Sequence, residues 1–227
     1  MAASFRVISI GALAAHPLWG EKADVRAAHA TTTLVIAGEA RILVDPSLPG
    51  QILLPRLGER CGRGGDFITH IFLTSFHPLL RRGLDAFPDA TVLIAEAERR
   101  GVRVQLNEKL EQASAAGDGD VARLIRGEIE LLASCEDAPD KLADGVDLFP
   151  LPGVTPGSAG LLLPTPGSTV LIAGDAVATV EHLEQGRVLS PCFDAESARE
   201  SLSEAIEIAD LIVLGRDNVA VNPVRRF

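Results

Sequence analysis

The chain has 227 residues, of which 47% are apolar and 23% charged, with a mean hydropathy of +0.22 and a formal net charge of −10. This composition fits a globular domain with a sizeable buried core and excludes an intrinsically disordered chain. The acidic balance argues against nucleic acid or an anionic membrane surface as a partner, and no stretch approaches the roughly 20 apolar residues that span a bilayer.

Taken in chain order, the pattern predicts strands at Phe5–Ile10, Thr31–Ala37 and Ala40–Val44, the last two joined around Gly38-Glu39 at hairpin spacing. A short helix, Ile52–Arg60, follows the Pro49-Gly50 break, and apolar strands are expected at Phe67–Thr74 and Thr91–Ala95. Val104–Ala115 and Asp120–Ser134 carry apolar residues at helical steps on either side of the Gly117-Asp118-Gly119 turn. In the second helix, Val121, Leu124, Ile125, Ile129 and Leu132 form one stripe expected to face the sheet. Strands at Val146–Leu151, Gly160–Pro164 and Ser168–Ala173 come next. They lead to a helix at Ala195–Ala209 with Asp194 as its cap, then strands at Leu211–Leu214 and Val219–Val221.

Two hairpins echo each other, Thr33 to Asp45 and Gly160 to Asp175, each ending its second strand in an aspartate. Halves of similar plan suggest two sheets packed face to face with helices outside. One domain over 1–227 is expected, with the helical segment 102–134 packed on it. Cys61, Cys135 and Cys192 stand far apart with no C-x-x-C pair, which excludes a zinc knuckle or a redox pair. The sparse, odd count and a start lacking a basic, then apolar leader make the expected location cytoplasmic.

Polar residues that follow apolar strands mark where such folds place their sites. Four segments stand out: Thr74-Ser75-Phe76-His77-Pro78-Leu79-Leu80, Pro152-Gly153-Val154-Thr155-Pro156-Gly157-Ser158, Gly174-Asp175 and Gly215-Arg216. In order and separation they resemble the metallo-β-lactamase superfamily, whose members commonly show T-H-x-H-x-D-H, P-G-H-T-P-G-S, G-D and a final G-H. The resemblance runs from about Thr31 to Val221 and implies an α/β (α+β) fold, a four-layer αββα sandwich with a metal site along one edge.

The resemblance also implies which ligands are missing. Its histidines fall on Ser75, Leu80, Val154 and Arg216, and its first aspartate on Leu79; only His77 and Asp175 are kept. A catalytic zinc needs about three protein ligands plus a water. Leucine and valine cannot coordinate, so no metal and no other cofactor is expected, and no metal-hydroxide hydrolysis. The alternative is a hydrolase with zinc or another divalent metal held by His77, Asp175 and His182. Either Arg216 pairs with Asp175, supplying charge the metal would have brought, or it extends to solvent.

The remaining residues have plainer readings beside the functional ones. His77 is a packed relic bonded to Asp175 or backbone, or else a ligand, and Asp175 suits the cap of a turn. His182 reads as a surface or loop histidine unless it replaces a lost ligand, while His16, His29 and Trp19 suit a lid or edge wall. His70 lies inside a strand, and Cys61 to Asp66 is a plain turn rather than a phosphate loop. A Ser75–His77–Asp175 triad is conceivable but lacks a G-x-S-x-G elbow. The expected function is a scaffold or small-ligand module with a residual pocket at Ser75, His77, Asp175 and Arg216, taking a small anion through Arg216. A homodimer is the default assembly, and an obligate subunit of an active homologue is a further rival.

Overall fold

In the computed structural model, which describes residues 3–224, twelve strands assemble into two six-stranded sheets. The first runs in chain order: β1 (Ser4–Ser9), β2 (Thr32–Ala37), β3 (Ala40–Val44), β4 (His70–Leu73), β5 (Thr91–Ile94) and β6 (Glu136–Asp137). Pairing is antiparallel from β1 to β3 and parallel from β3 to β6. The second sheet holds β7 (Lys141–Ala143), β8 (Val146–Pro150), β9 (Ala159–Thr165), β10 (Ser168–Gly174), β11 (Leu211–Leu214) and β12 (Val219–Val221). Only its β10–β11 pair is parallel.

Strand side chains alternate between faces, and that alternation divides the apolar residues into three cores. Val35, Val44, Phe72, Leu161, Ile172 and Val213 fill the space between the sheets. Their neighbours Leu34, Leu43, Ile71 and Leu73 turn outward, onto α1 (Gly50–Cys61) and residues of α2 (Glu96–Ala115) and α3 (Gly119–Ser134). Leu171, Ile212 and Leu214 turn outward from the other sheet, where α4 (Val180–Gln185) and α5 (Ala195–Ile208) cover them. The result is the helix–sheet–sheet–helix sandwich expected. Of the expected single domain over 1–227, residues 1–2 and 225–227 lie outside the described residues.

Three expectations change. Helix α2 starts at Glu96, two turns before Val104, because its first turns are polar outside and the residue it buries there is Glu98. On α3 the expected stripe splits: Leu132 is buried, but Val121 is exposed and Leu124 is 71% exposed. The face that packs is the one centred on Ala122 and Leu132, since α3 pairs with α2 as well as resting on the sheet. Residues 180–185, where no element was expected, form α4, and β6 and β7 are too short to leave a periodic signal.

The hairpin echo has a structural meaning. Each hairpin's second strand runs parallel to a neighbour, β3 to β4 and β10 to β11. In each half, the aspartate ending that strand is held by a residue just past the neighbour's end: Asp45 by Thr74 and Asp175 by Arg216. The halves meet there. A Cβ on Gly174 would lie 2.5 Å from Thr74 Oγ1, and Gly174 has φ +55°, so only glycine fits this contact.

Candidate functional site

The loops at this edge are pinned before any functional side chain is placed. After β4, Ala159 N donates to Thr74 O at 2.9 Å, fastening the start of β9 to the first sheet. Fully buried Glu98 then joins the two motif loops. Its Oε1 accepts from Phe76 N (2.9 Å), and its Oε2 accepts from Thr155 Oγ1 (2.8 Å) and Gly157 N (2.9 Å). Burial raises the Glu98 pKa, partly offset by these three donors. The other side of the 152–158 loop rests on α5. A Cβ on Gly153 (φ +121°) would strike Ala198 N at 2.1 Å, and Asp194 N donates to Gly153 O. Asp194 caps α5 as expected, accepting from Glu196 N and Ser197 N.

Arg216 is fixed by its own backbone. Gly215 N donates to Val177 O at 3.0 Å and Arg216 N to Ala178 O at 2.7 Å. The chain after β11 thus lies against the turn that begins at Asp175, and the side chain folds back over it. Arg216 Nε donates to Asp175 Oδ1 at 2.7 Å and Nη2 donates to Oδ2 at 2.6 Å, with the residues only 5% and 7% exposed. This is the bidentate geometry in which guanidinium and carboxylate bind most strongly. Burial works against the guanidinium's charge, yet Asp175 and the nearby Asp45 more than offset it and raise the Arg216 pKa.

Asp45 completes the buried polar seam. Its Oδ1 accepts from Thr74 N (2.9 Å) and its Oδ2 from Thr74 Oγ1 (2.7 Å), with the backbone held at φ +49°. Desolvation dominates and pushes its pKa up to about 7, Asp175 adding to the rise and the Thr74 donors and Arg216 opposing it. Sequence reasoning passed over Asp45 and Glu98. The signal for Asp45 was the hairpin echo itself, whereas Glu98 stands in a charged helical run with nothing to mark it as buried.

The expected residues separate into two groups. Asp175 and Arg216 are joined, and His77 lies near enough for both to act on it. Its pKa is lowered by partial desolvation first; Asp175 pulls it up, and Arg216, Arg81 and Arg82 pull it down. However, His77 is exposed rather than packed as a relic, and its Nδ1 accepts from Leu79 N at 3.2 Å, which caps the turn at Pro78–Arg81. Ser75 is buried, and its Oγ accepts from His77 N at 3.5 Å. Among the described residues no bond joins its hydroxyl to the imidazole, so the conceivable triad is not assembled.

His182 overturns its surface reading: it is 2% exposed, inside α4. Its Nδ1 shares a hydrogen bond with Thr179 Oγ1 at 2.9 Å, and Thr179 Oγ1 in turn lies 3.1 Å from His16 Nε2. Desolvation first, then the neighbouring His16, lowers the His182 pKa. The N-terminal residues form a strap over this region. His16 is buried, its ring stacks on Trp19 at 4.2 Å, and Trp19 Nε1 donates to Glu181 Oε1. Burial tends to raise the Glu181 pKa, but donors from Thr179, its own N–H and Trp19 bring it below the usual carboxylate range.

A metal does not fit these residues. Both Asp175 oxygens are taken by Arg216, His77 Nδ1 by a backbone N–H, and His182 Nδ1 by Thr179 Oγ1. Among the described residues no group of three His, Cys, Asp or Glu side chains is disposed to hold an ion, and His77, Asp175 and His182 do not form one. Nor is any helix there long and apolar enough to cross a membrane.

Comparison with known proteins agrees with the fold. The Thermotoga maritima structure described as a metallo-beta-lactamase has a TM-score of 0.67 at 17% identity, with 97% of this chain and 100% of that one covered. A mutant of AiiA from B. thuringiensis, with N-decanoyl-L-homoserine bound at its active site, gives 0.62 at 19%, covering 96% and 94%. AidC, a dizinc quorum-quenching lactonase, gives 0.61 at 19%, covering 78% and 67%. A search of curated proteins finds no significant match. The family model for the metallo-beta-lactamase superfamily matches residues 26–214. With most of its length matched and both sheets in place, the chain belongs to the metallo-beta-lactamase superfamily.

Proposed function

We propose that this chain is a member of its superfamily that works without a metal ion, as a binding or scaffold protein rather than a hydrolase. The observation that carries the reading is the buried bidentate contact of Arg216 with Asp175, at 2.6–2.7 Å. Asp175 is the one acidic ligand position kept, and a guanidinium already supplies its positive charge. A hydrated ion competing for Asp175 has to displace an arginine that cannot deprotonate near neutral pH and would leave that charge buried and unpaired. Ser75, Leu79, Leu80 and Val154 offer no imidazole or carboxylate to repay that cost.

The competing hydrolase reading draws on relatives that are lactonases, one of them dizinc. It would need Asp175 to release Arg216, and His77, Asp175 and His182 to come together around one ion. Elemental analysis of protein purified without chelator, alongside lactone and β-lactam hydrolysis assays, separates the two. We expect zinc, iron and manganese far below one per chain and no turnover above buffer. One tightly held ion per chain, lost in His77→Ala, would establish the hydrolase.

A further inference from the structure

The chain joining α4 to α5 is pinned at both ends. Gly186, in the left-handed region (φ +60°), closes α4, and Arg187 N donates to His182 O at 2.9 Å. At the far end, Phe193 N donates to Val154 O and Asp194 N to Gly153 O. Between these points the segment and Pro17 and Leu18 of the N-terminal strap enclose a cavity of about 340 Å³. Arg199 of α5 and buried His182 also line it.

Charge sets this cavity apart. The chain has 31 acidic residues against 21 basic ones, yet no Asp or Glu lines the wall and two arginines do, Arg187 and Arg199. Both are exposed, and among the described residues neither guanidinium makes a hydrogen bond or ion pair. By contrast, Arg26, Arg81, Arg99 and Arg216 each hold a carboxylate, so the small anion expected at Arg216 meets a guanidinium already committed to Asp175. Arg187 stands beside His182. Desolvation first, then His16, lower that imidazole's pKa; Glu181 raises it and the charge of Arg187 lowers it. Asp194, the cap of α5, turns its carboxylate to the Glu196 and Ser197 amides and does not line the cavity.

Two unpaired guanidiniums on different elements define the ligand. A carboxylate has one charge and two oxygens, which a single guanidinium already matches. A phosphate monoester has nearly two charges and three terminal oxygens, enough to engage both. Pro17, Leu18, Val188 and Ala195 supply apolar wall for a short substituent on the ester. At about 30 Å³ per water in the liquid, the space equals roughly eleven waters, the size of an aryl phosphate.

We propose that this cavity binds a small phosphate monoester, its phosphate engaged by Arg187 and Arg199 and its apolar substituent set against Leu18 and Val188. The inference goes beyond the metal-free reading and does not rest on it, because it uses neither Asp175 nor Arg216.

The test titrates the full chain with phenyl phosphate, inorganic phosphate and benzoate by calorimetry. In parallel, peptide mass follows iodoacetamide alkylation of Cys192, a half-buried residue of the same wall. Cys61, also half-buried but outside the cavity, is the internal control. Phenyl phosphate should saturate at one per chain and slow alkylation of Cys192 but not of Cys61. Inorganic phosphate, which lacks the ring, and benzoate, with one charge and two oxygens, should each bind at least about tenfold more weakly. Arg187→Gln and Arg199→Gln, both changes of exposed side chains, should keep the wild-type unfolding midpoint and each weaken phenyl phosphate about tenfold or more. Failure of phenyl phosphate to saturate, benzoate binding as tightly, equal protection of Cys61 and Cys192, or full affinity with both arginines changed would overturn the proposal. Any of these leaves the metal-free reading standing, whereas metal at one per chain overturns that reading and not this one.

Discussion

Arg216 and Asp175, separated by 41 residues, close a two-bond ion pair inside the edge where the two sheets meet. The pair joins the end of β10 to the loop after β11 and has almost no contact with water. Removing one partner strands a buried charge. Arg216→Ala and Asp175→Ala should each lose about 3–5 kcal/mol in urea denaturation. The double change Asp175→Leu with Arg216→Met should cost less than either single one. Additive losses would show that the two residues act independently.

Asp45 sets a pH dependence. Its folded pKa, about 7, lies above the unfolded value of 3.8, so the folded state holds its proton more tightly. The stability this provides is fully present below pH 3.8 and declines as pH rises, until it is lost above about 7. Asp45→Asn keeps an oxygen for Thr74 N and removes the charge. Between pH 4 and 7 the wild type should lose on the order of 3 kcal/mol more than the variant does, read from denaturation midpoints across that range. Parallel curves would refute the assignment.

Glu98 holds the two motif loops together, so its loss should be local as well as global. Glu98→Ala leaves the Phe76 and Gly157 amides without an acceptor and should cost about 2–4 kcal/mol. Hydrogen exchange should speed up at those two amides before it does in the strands. Its folded pKa is also raised, so its stabilising share likewise shrinks as pH climbs above the ordinary carboxylate value.

If the positions Ser75, Val154 and Arg216 are what keep an ion out, restoring imidazoles there should let one in. Ser75→His, Val154→His and Arg216→His together free Asp175 and add three donors beside His77. In equilibrium dialysis the folded triple variant should retain zinc at one per chain, and the wild type should not. Equal retention by both proteins would remove the reason for calling the present site metal-free.

Residue pattern alone was enough for most of the elements and for the layers. Near-continuous apolar strands such as Thr32–Ala37 and Ser168–Gly174 can bury both faces only between a second sheet and a helix layer. What local pattern could not carry were facts of long-range packing. Whether Leu124 or Ala122 faces inward depends on where α2 lies, and the burial of Glu98 depends on loops at Phe76 and Gly157. The His16–Thr179–His182 relay spans 163 residues between its first two members. Arg216, a side chain able to reach solvent, was turned onto Asp175 by two backbone hydrogen bonds that no single-residue preference encodes.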